Sequence, residues 1–565
     1  MKRSASPLGV HWRAVRRLSP SQVLGRLRLR SRQFGLRLAG LQRLVPRHRR
    51  ALAPDCLERV YALSRLPNGV PPAEWCATAG TRFRANSGWL ISHSGRTMRH
   101  QRDLARLELY YHEFLHDRAL SAAEAWSFLS EYLRDHRTRA SDGRHEWHPY
   151  AVSNRLASWL AFLAHHPDDA DDSLKQQLLE ECLLLTDYVE WMLERDLEAN
   201  HLLKNLWAIA LSDRLLNPDT QRQRQSIQRY VDELARQILS DGGHYELSPM
   251  YHAKVLYDAR VMLALLDRDP MAEQLRALSD RATRWLEALR FGPNQWANIN
   301  DSWSIPTLAQ HIWRENPEPV RDGVTELPAS GFLRGNLGPW QWLFDVGGVS
   351  PKGNPGHCHS DALSVLLYFD GQPLIVDPGV LHYSPNDERL FLRSCHAHNG
   401  PCLRQWDHTE LIGSFRIGRA AHANLQGHTA APSQQTATGY HNGYRGIRIQ
   451  RHLEVTTHRV TLLDDWITED RQPFAPWSRF LWRADLEQIE ECRPDTNRLK
   501  FTFRHQHQRF GVSIRVRSRG TVRLALQDSW YSDEFGRTRP AAETLATGDS
   551  TDGPAQVETV VTLVA

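Results

Sequence analysis

Three clusters of polar residues in this 565-residue chain have the types that acid–base and metal chemistry need. The first is Gly356-His357-Cys358-His359-Ser360-Asp361, followed by Asp377 in Ile-Val-Asp-Pro-Gly and by His396-Ala-His398-Asn399. Two histidines at i and i+2 on one strand share a face. A third His and an Asp from neighbouring strands of the same sheet would complete a set of imidazoles plus one carboxylate, which suits zinc. With 28 His in the chain, a polar strand face with solvated imidazoles is equally easy to produce, and spacing alone leaves both readings open. The second cluster, Ala199-Asn200-His201-Leu202-Leu203-Lys204-Asn205, opens a strongly apolar helical run, where an Asn by itself reads as an N-cap. The third, Asp241-Gly-Gly-His-Tyr-Glu-Leu-Ser-Pro-Met-Tyr251-His252, sets two Gly and a Pro around polar aromatic residues at the start of another helix. Seen alone, Tyr251 reads as a packing residue with a bonded hydroxyl.

These clusters need two kinds of scaffold. From about residue 100 to 310 apolar residues recur at helical spacing, over 101–116, 153–165, 174–195, 202–215, 224–239, 250–267 and 271–290. Turn signals such as Asn217-Pro218-Asp219 and Asp241-Gly242-Gly243 separate the runs, so the pattern is a series of helical hairpins. There are too many for a four-helix bundle, which points to an α/α toroid or solenoid, although no clean repeat is visible. After about residue 325 the segments become short, β-branched and aromatic. Ala362–Phe369, then Asp370-Gly371, then Pro373–Val376 reads as a hairpin, and further strand-like runs at 447–456, 458–467, 498–504, 510–516 and 521–526 predict an antiparallel β-sandwich. The expected division is a leader over 1–50, a helical domain over 51–320 and a β-domain over 325–565, with the junction near Asn316-Pro-Glu-Pro319 to Pro328. A length of this order is more than one hydrophobic core usually supports.

Charge is unevenly placed. Residues 1–50 hold 14 Lys and Arg and no Asp or Glu, so the formal +5 of the whole leaves the other 515 residues at −9. Between Val10 and Leu44 the arginines alternate with Trp12, Val15, Leu18, Val23, Leu24, Leu27, Leu29, Phe34, Leu38 and Leu41. That pattern fits a basic amphipathic helix in peripheral contact with an anionic membrane surface, or one packed on the body with its Arg face solvated. No uninterrupted apolar stretch follows Lys2-Arg3, so a secretory signal is not expected, and no run of about 18 apolar residues spans a bilayer. Compartment stays open between cytoplasm and cell envelope. The seven Cys (56, 76, 182, 358, 395, 402, 492) form neither a CxxC pair nor a disulfide framework, and no nucleic-acid-binding motif accompanies the basic leader.

Six segments in order, Asn200-His-Leu-Leu-Lys-Asn205, Asp241–His252, Asn300-Asp-Ser-Trp303, His357-Cys-His-Ser-Asp361, Val376-Asp-Pro-Gly379 and Ala397-His-Asn399, resemble the heparinase II/III-like polysaccharide lyases, a group similar also to some alginate lyases. The resemblance covers about residues 100–420 and implies a multidomain α+β protein, an incomplete (α/α) toroid followed by an antiparallel β-sandwich, with the site in the cleft between them. It implies that Asn200 neutralises a substrate carboxylate, that Tyr251 and His357 are catalytic, that His201 matches a catalytic His of the alginate lyases, and that His359, Asp377 and His398 bind one structural zinc ion. The substrate it implies is an acidic polysaccharide cut by β-elimination at a uronic acid. Glu246, Trp303 and Arg393 are the further candidates for substrate binding. The residues flanking His357 and His359, Cys358 and Ser360, depart from the family pattern, as does the basic leader in place of an export signal. Two alternatives stand beside this reading: a glycoside hydrolase on the same toroid, using Glu246 and Asp301 as its two carboxylates, and a noncatalytic acidic-glycan-binding protein.

Overall fold

The computed structural model of the chain describes residues 13, 15–39, 52–65, 104, 107–108, 110–117, 120–135 and 145–564, except 267–268, 314–320, 469–472, 485–488, 496, 506 and 549–553. Helices Pro149–His165 and Asp172–Trp191, Ala199–Leu216 and Thr220–Gln237, and Pro249–Leu266 and Pro270–Ala288 pack as three successive hairpins. The first helix of each pair is buried nearly all round, whereas the second hides one face. Thr220–Gln237, for example, buries Ile227, Tyr230, Val231 and Leu234 and turns Arg224, Gln225 and Gln228 to solvent. A helix apolar on every side must sit inside a ring of others. The three buried helices touch in sequence, Pro149–His165 on Ala199–Leu216 and that on Pro249–Leu266, which makes them the inner ring of an incomplete α/α toroid. The outer helices start at aspartate N-caps: Asp171 accepts from Leu174 N at 2.8 Å, Asp219 from Gln221 N at 2.9 Å and Asp269 from Met271 N at 2.9 Å.

Of the run 101–116, where the sequence reading placed a helix, Leu104, Leu107 and Glu108 are helical, and the stretch ends in a short 3₁₀ turn, Glu113–His116. It did not single out Ala122–Asp135, whose Trp126, Leu129 and Leu133 form a buried stripe. The junction near Asn316-Pro-Glu-Pro319 lies outside the described residues, as do Val10, Trp12, Leu41 and Leu44 of the leader.

The C-terminal half is a sandwich of two antiparallel sheets. One has eight strands, running from Ala423–Ala431 through the meander to Arg459–Thr468, then Ala555–Val564, Gln508–Arg517, Arg498–His505 and Ile489–Asp495. The other has nine and includes the expected hairpin, Val365–Phe369 and Gln372–Ile375, whose Asp370 (φ 48°) and Gly371 (φ 73°) have the positive φ values of a type I′ turn. Trp340, Trp342, Phe344, Leu453, Val512 and Val561 fill the space between the sheets. His357, His359, His396 and His398, expected on strands, all lie in loops, so the strand-face argument for their convergence does not apply.

The leader forms a helix, Pro20–Ala39, that is docked on the body. Arg13 pairs with Glu410 through two bonds of 2.8 and 2.9 Å, Arg17 donates to the Gly418 carbonyl at 2.7 Å, Arg26 faces Asp196 at 3.7 Å and Arg32 donates to the Trp191 carbonyl. Gly25 lies so close to the backbone of Arg195 and Asp196 that a Cβ would stand 2.9 Å from it. The leader thus touches both the toroid and the β-domain, and several of its arginines face inward, the reverse of a helix with a solvated Arg face.

Candidate active site

The two domains enclose a cleft of about 1060 Å³. The N-termini of helices Ala199–Leu216 and Pro249–Leu266 open into it, bringing Asn200, His201 and Tyr251 along with the partial positive charge of two helix ends. The β-domain contributes His357, Tyr383 and Phe415 from loops, and the leader contributes Arg17 and Arg26.

Asn200 is not an N-cap. Glu198 holds that position, and Asn200 donates from its backbone N and from Nδ2 to Glu246 Oε2, at 3.2 and 2.8 Å. One Nδ2–H remains to be offered to an anion. The backbone here lies in the left-handed region at Glu198 (φ 56°), Ala199 (φ 52°) and Leu247 (φ 55°), a conformation that costs about 1–3 kcal/mol for a residue other than Gly. It is held by Ala199 N donating to Tyr245 Oη at 2.9 Å and by Gln237 Nε2 donating to the Ala199 carbonyl at 3.1 Å. His201 donates from Nδ1 to the buried Glu194 at 2.9 Å, and Glu194 also receives Asn205 Nδ2 at 3.1 Å. Burial works against a charged His201, but the Glu194 carboxylate outweighs it and raises the imidazole pKa.

Tyr251 and His357 face each other across the domain boundary with their rings stacked, centroids 4.1 Å apart. Burial pushes the Tyr251 phenol well above its ordinary pKa, against the 3.1 Å hydrogen bond it shares with Tyr383, so the resting group is a neutral proton donor. His357 directs Nδ1 to Asp301 Oδ2 at 3.0 Å, while Nε2 faces Glu246 Oε1 at 3.6 Å. Asp301 is fully buried and receives Arg389 on both oxygens, at 2.6 and 2.7 Å, as well as His359 Nε2 at 2.9 Å. Burial alone would keep this carboxyl neutral. Arg389 and the bonds from His357 and His359 reverse that and hold it well below the usual carboxylate range. Because Asp301 is an acceptor, His357 carries its proton on Nδ1 and presents a free lone pair on Nε2.

His359, Asp377 and His398 converge behind this site, with ligand-capable atoms within 4.8 Å of one another and all three side chains buried. His398 donates from Nδ1 to Asp377 at 2.8 Å. His359 Nδ1 and His398 Nε2 are buried without a hydrogen-bond partner, while the other nitrogen of each donates to a carboxylate. Two imidazoles and a carboxylate gathered within this distance are a donor set that fits one divalent ion such as zinc.

The remaining candidates divide. Glu246 is buried and orients Asn200; Trp303 lines the cleft with its ring 6.5 Å from Tyr251 and with Lys254 Nζ 5.6 Å from its own ring. Arg393 is neither a surface residue nor a cleft residue. It is fully buried, and donates to the carbonyls of Cys358 and Gly413 at 3.0 Å each, so it braces the loop behind His357 and has no reach to substrate. The sequence reading missed Tyr383, Arg389 and Glu194. Arg389 meets Asp301 across 88 residues, a pairing that no local pattern signals, whereas Glu194, seven residues before His201, was open to inspection as an acid near a candidate His.

Comparison with known proteins bears on the whole arrangement. The model of the family "Heparinase II/III N-terminus" matches residues 107–308 and that of "Heparinase II/III-like, C-terminal" matches residues 319–560. The chain belongs to the heparinase II/III-like family. Among solved structures this family member is similar to heparinase III, with a TM-score of 0.67 at 15% identity over 91% of this chain and 85% of the other. It is also similar to a heparan sulfate lyase from Pedobacter heparinus, with a TM-score of 0.57 at 15% identity over 95% and 88%, and to a xanthan lyase from Paenibacillus, with a TM-score of 0.50 at 9% identity over 90% and 57%. At such identities the likeness is one of fold. No curated protein sequence matches the chain.

Proposed function

We propose that this heparinase II/III-like protein cleaves an acidic polysaccharide by β-elimination at a uronic acid, leaving a 4,5-unsaturated uronate at the new end. The observation that carries the reading is the stacked Tyr251–His357 pair, with Asn200 on the same cleft. A C5 proton is weakly acidic beside an ionised carboxylate. The free Nδ2–H of Asn200, flanked by His201, stabilises the enolate-like charge as it develops. His357 Nε2 takes the C5 proton; the C5–H electrons form the C4–C5 double bond as the C4–O4 bond breaks. Tyr251 supplies the proton to the departing O4.

His359, Asp377 and His398 would hold one structural metal ion, which would brace the loop that carries His357 and take no part in these steps. The loop is tied to Asp301 through both His357 and His359.

A hydrolase using Glu246 and Asp301 fits less well. Asp301 is locked ionised between Arg389 and two imidazoles and has no proton to give, and Glu246 is occupied by Asn200. The polymer we favour is one that the cell itself makes, trimmed or cleared beside the membrane, since the basic leader is built into the enzyme's cleft. Cleavage in H₂¹⁸O decides between the chemistries: elimination leaves product free of ¹⁸O, with the unsaturated end 18 Da lighter than a hydrolysed one. Uptake of one ¹⁸O per cut would overturn the lyase reading.

A further inference from the structure

We infer that the leader helix Pro20–Ala39 is a two-faced interfacial helix: its outer stripe seats on an anionic lipid bilayer while its inner face closes one end of the catalytic cleft. This deepens the membrane placement proposed above and is independent of the elimination chemistry. Most helices docked on a protein turn their apolar residues inward, whereas of the large apolar side chains on this one only Leu29 and Leu36 pack on the body. Gln22, Gly25 and Leu36 are buried against the body, together with the bonded Arg26 and Arg32, whereas Val23, Leu24, Leu27, Phe34 and Leu38 are exposed, the last three by 63, 64 and 73%. Val23, Leu27, Phe34 and Leu38 follow one another at spacings of four, seven and four, which puts them on one side of the helix. Of the large apolar side chains that are exposed among the described residues, the leader holds more than half.

Two features select a bilayer as the occupant. Arg28 and Arg30 are exposed beside the stripe, and the first 50 residues contain 14 basic residues and no acid, so the surface that complements them is apolar below and negative above, as an anionic lipid interface is. The inward contacts are already committed: ahead of the helix Arg13 binds Glu410 and Arg17 the Gly418 carbonyl, and on the helix Arg26 faces Asp196, Arg32 donates to the Trp191 carbonyl and Gln22 lies against Gly353, four residues before His357. A helix fixed in this way cannot turn its stripe inward without giving up those contacts. Because Arg17 and Arg26 line the cleft, a membrane-bound enzyme would hold the leader end of its cleft at the lipid surface, where a polymer leaving the membrane arrives.

The test is flotation of the full-length protein with large vesicles of phosphatidylcholine alone or of phosphatidylcholine and phosphatidylglycerol in equal parts. The expected result is binding to the anionic vesicles, at least 10-fold weaker on the neutral ones and weakened by salt. The double substitution Leu27→Glu, Phe34→Glu should lower binding at least 10-fold, with the thermal midpoint and the cleavage of a soluble polymer unchanged, because both side chains point away from the body. Failure to bind anionic vesicles, or binding that the double substitution leaves intact, overturns the inference. So does a dimer detected by light scattering that the same substitution dissociates, since a second copy would then be what covers the stripe.

Discussion

Arg389 donates to both oxygens of Asp301, at 2.6 and 2.7 Å, and so fixes a carboxylate that also receives His357 and His359. A single buried ion pair therefore sets the tautomer of one imidazole and supports the other. Asp301→Asn keeps the shape but removes the acceptor charge that holds the His357 proton on Nδ1. We expect kcat to fall by about 10²–10⁴-fold, with KM within about 3-fold of the wild-type value. Steady-state kinetics check this, and a variant that keeps more than a third of its kcat would show that Asp301 does not orient His357.

The same pair should matter to stability from its other side. Arg389→Met leaves a buried carboxylate without its cation, and removal of one partner from a buried pair costs about 3–5 kcal/mol. Urea unfolding of the variant measures it. A loss below about 1 kcal/mol would mean that Asp301 is compensated elsewhere.

Metal content tests the assignment of His359, Asp377 and His398. The purified full-length protein should carry about one equivalent of zinc by elemental analysis, and His398→Ala should lose it along with several degrees of thermal midpoint. Retention of the metal by that variant would move the ion to another site.

Acid should weaken both domains through buried histidines that do not line the cleft. Burial pushes His252 in the toroid and His441 in the sandwich down to about 4, against the bonds they make to the Ala282 and Pro401 carbonyls. The unfolded chain takes up these protons near pH 6.5 and the folded one only near 4, so the stability is whole above about 6.5 and is lost as the pH falls toward 4. Between pH 7.5 and 5 each contributes about 2 kcal/mol of loss. Unfolding free energies measured at both pH values check the sign, and stability that is flat or rises on acidification contradicts it.

How far the sequence reveals this molecule depends on the range of the signal. The inner helices and the Asp370-Gly371 hairpin were legible because their periods and turn residues are local. The convergence of His357 with Tyr251 was legible only through the resemblance to a family, since 106 positions separate them in the chain. The strand face expected to align His357 with His359 is absent: both sit in a loop, and both bond Asp301. Arg393 was offered as a substrate-binding residue, whereas it is buried and donates to the backbone carbonyls of Cys358 and Gly413. The leader's amphipathic pattern was plain, but which face it turns to the body depends on Glu410, Asp196 and the Gly418 carbonyl, partners that lie far along the chain.

The most direct test of the account is absorbance near about 232 nm, where a conjugated unsaturated uronate absorbs, during incubation of the wild-type protein and Tyr251→Phe with a panel of uronate-containing polysaccharides. The account predicts a steady rise on at least one acidic polymer and a rate at least about 10³-fold lower for Tyr251→Phe, with the variant still folded. A rise that Tyr251→Phe leaves untouched, or new reducing ends without any rise, would contradict it.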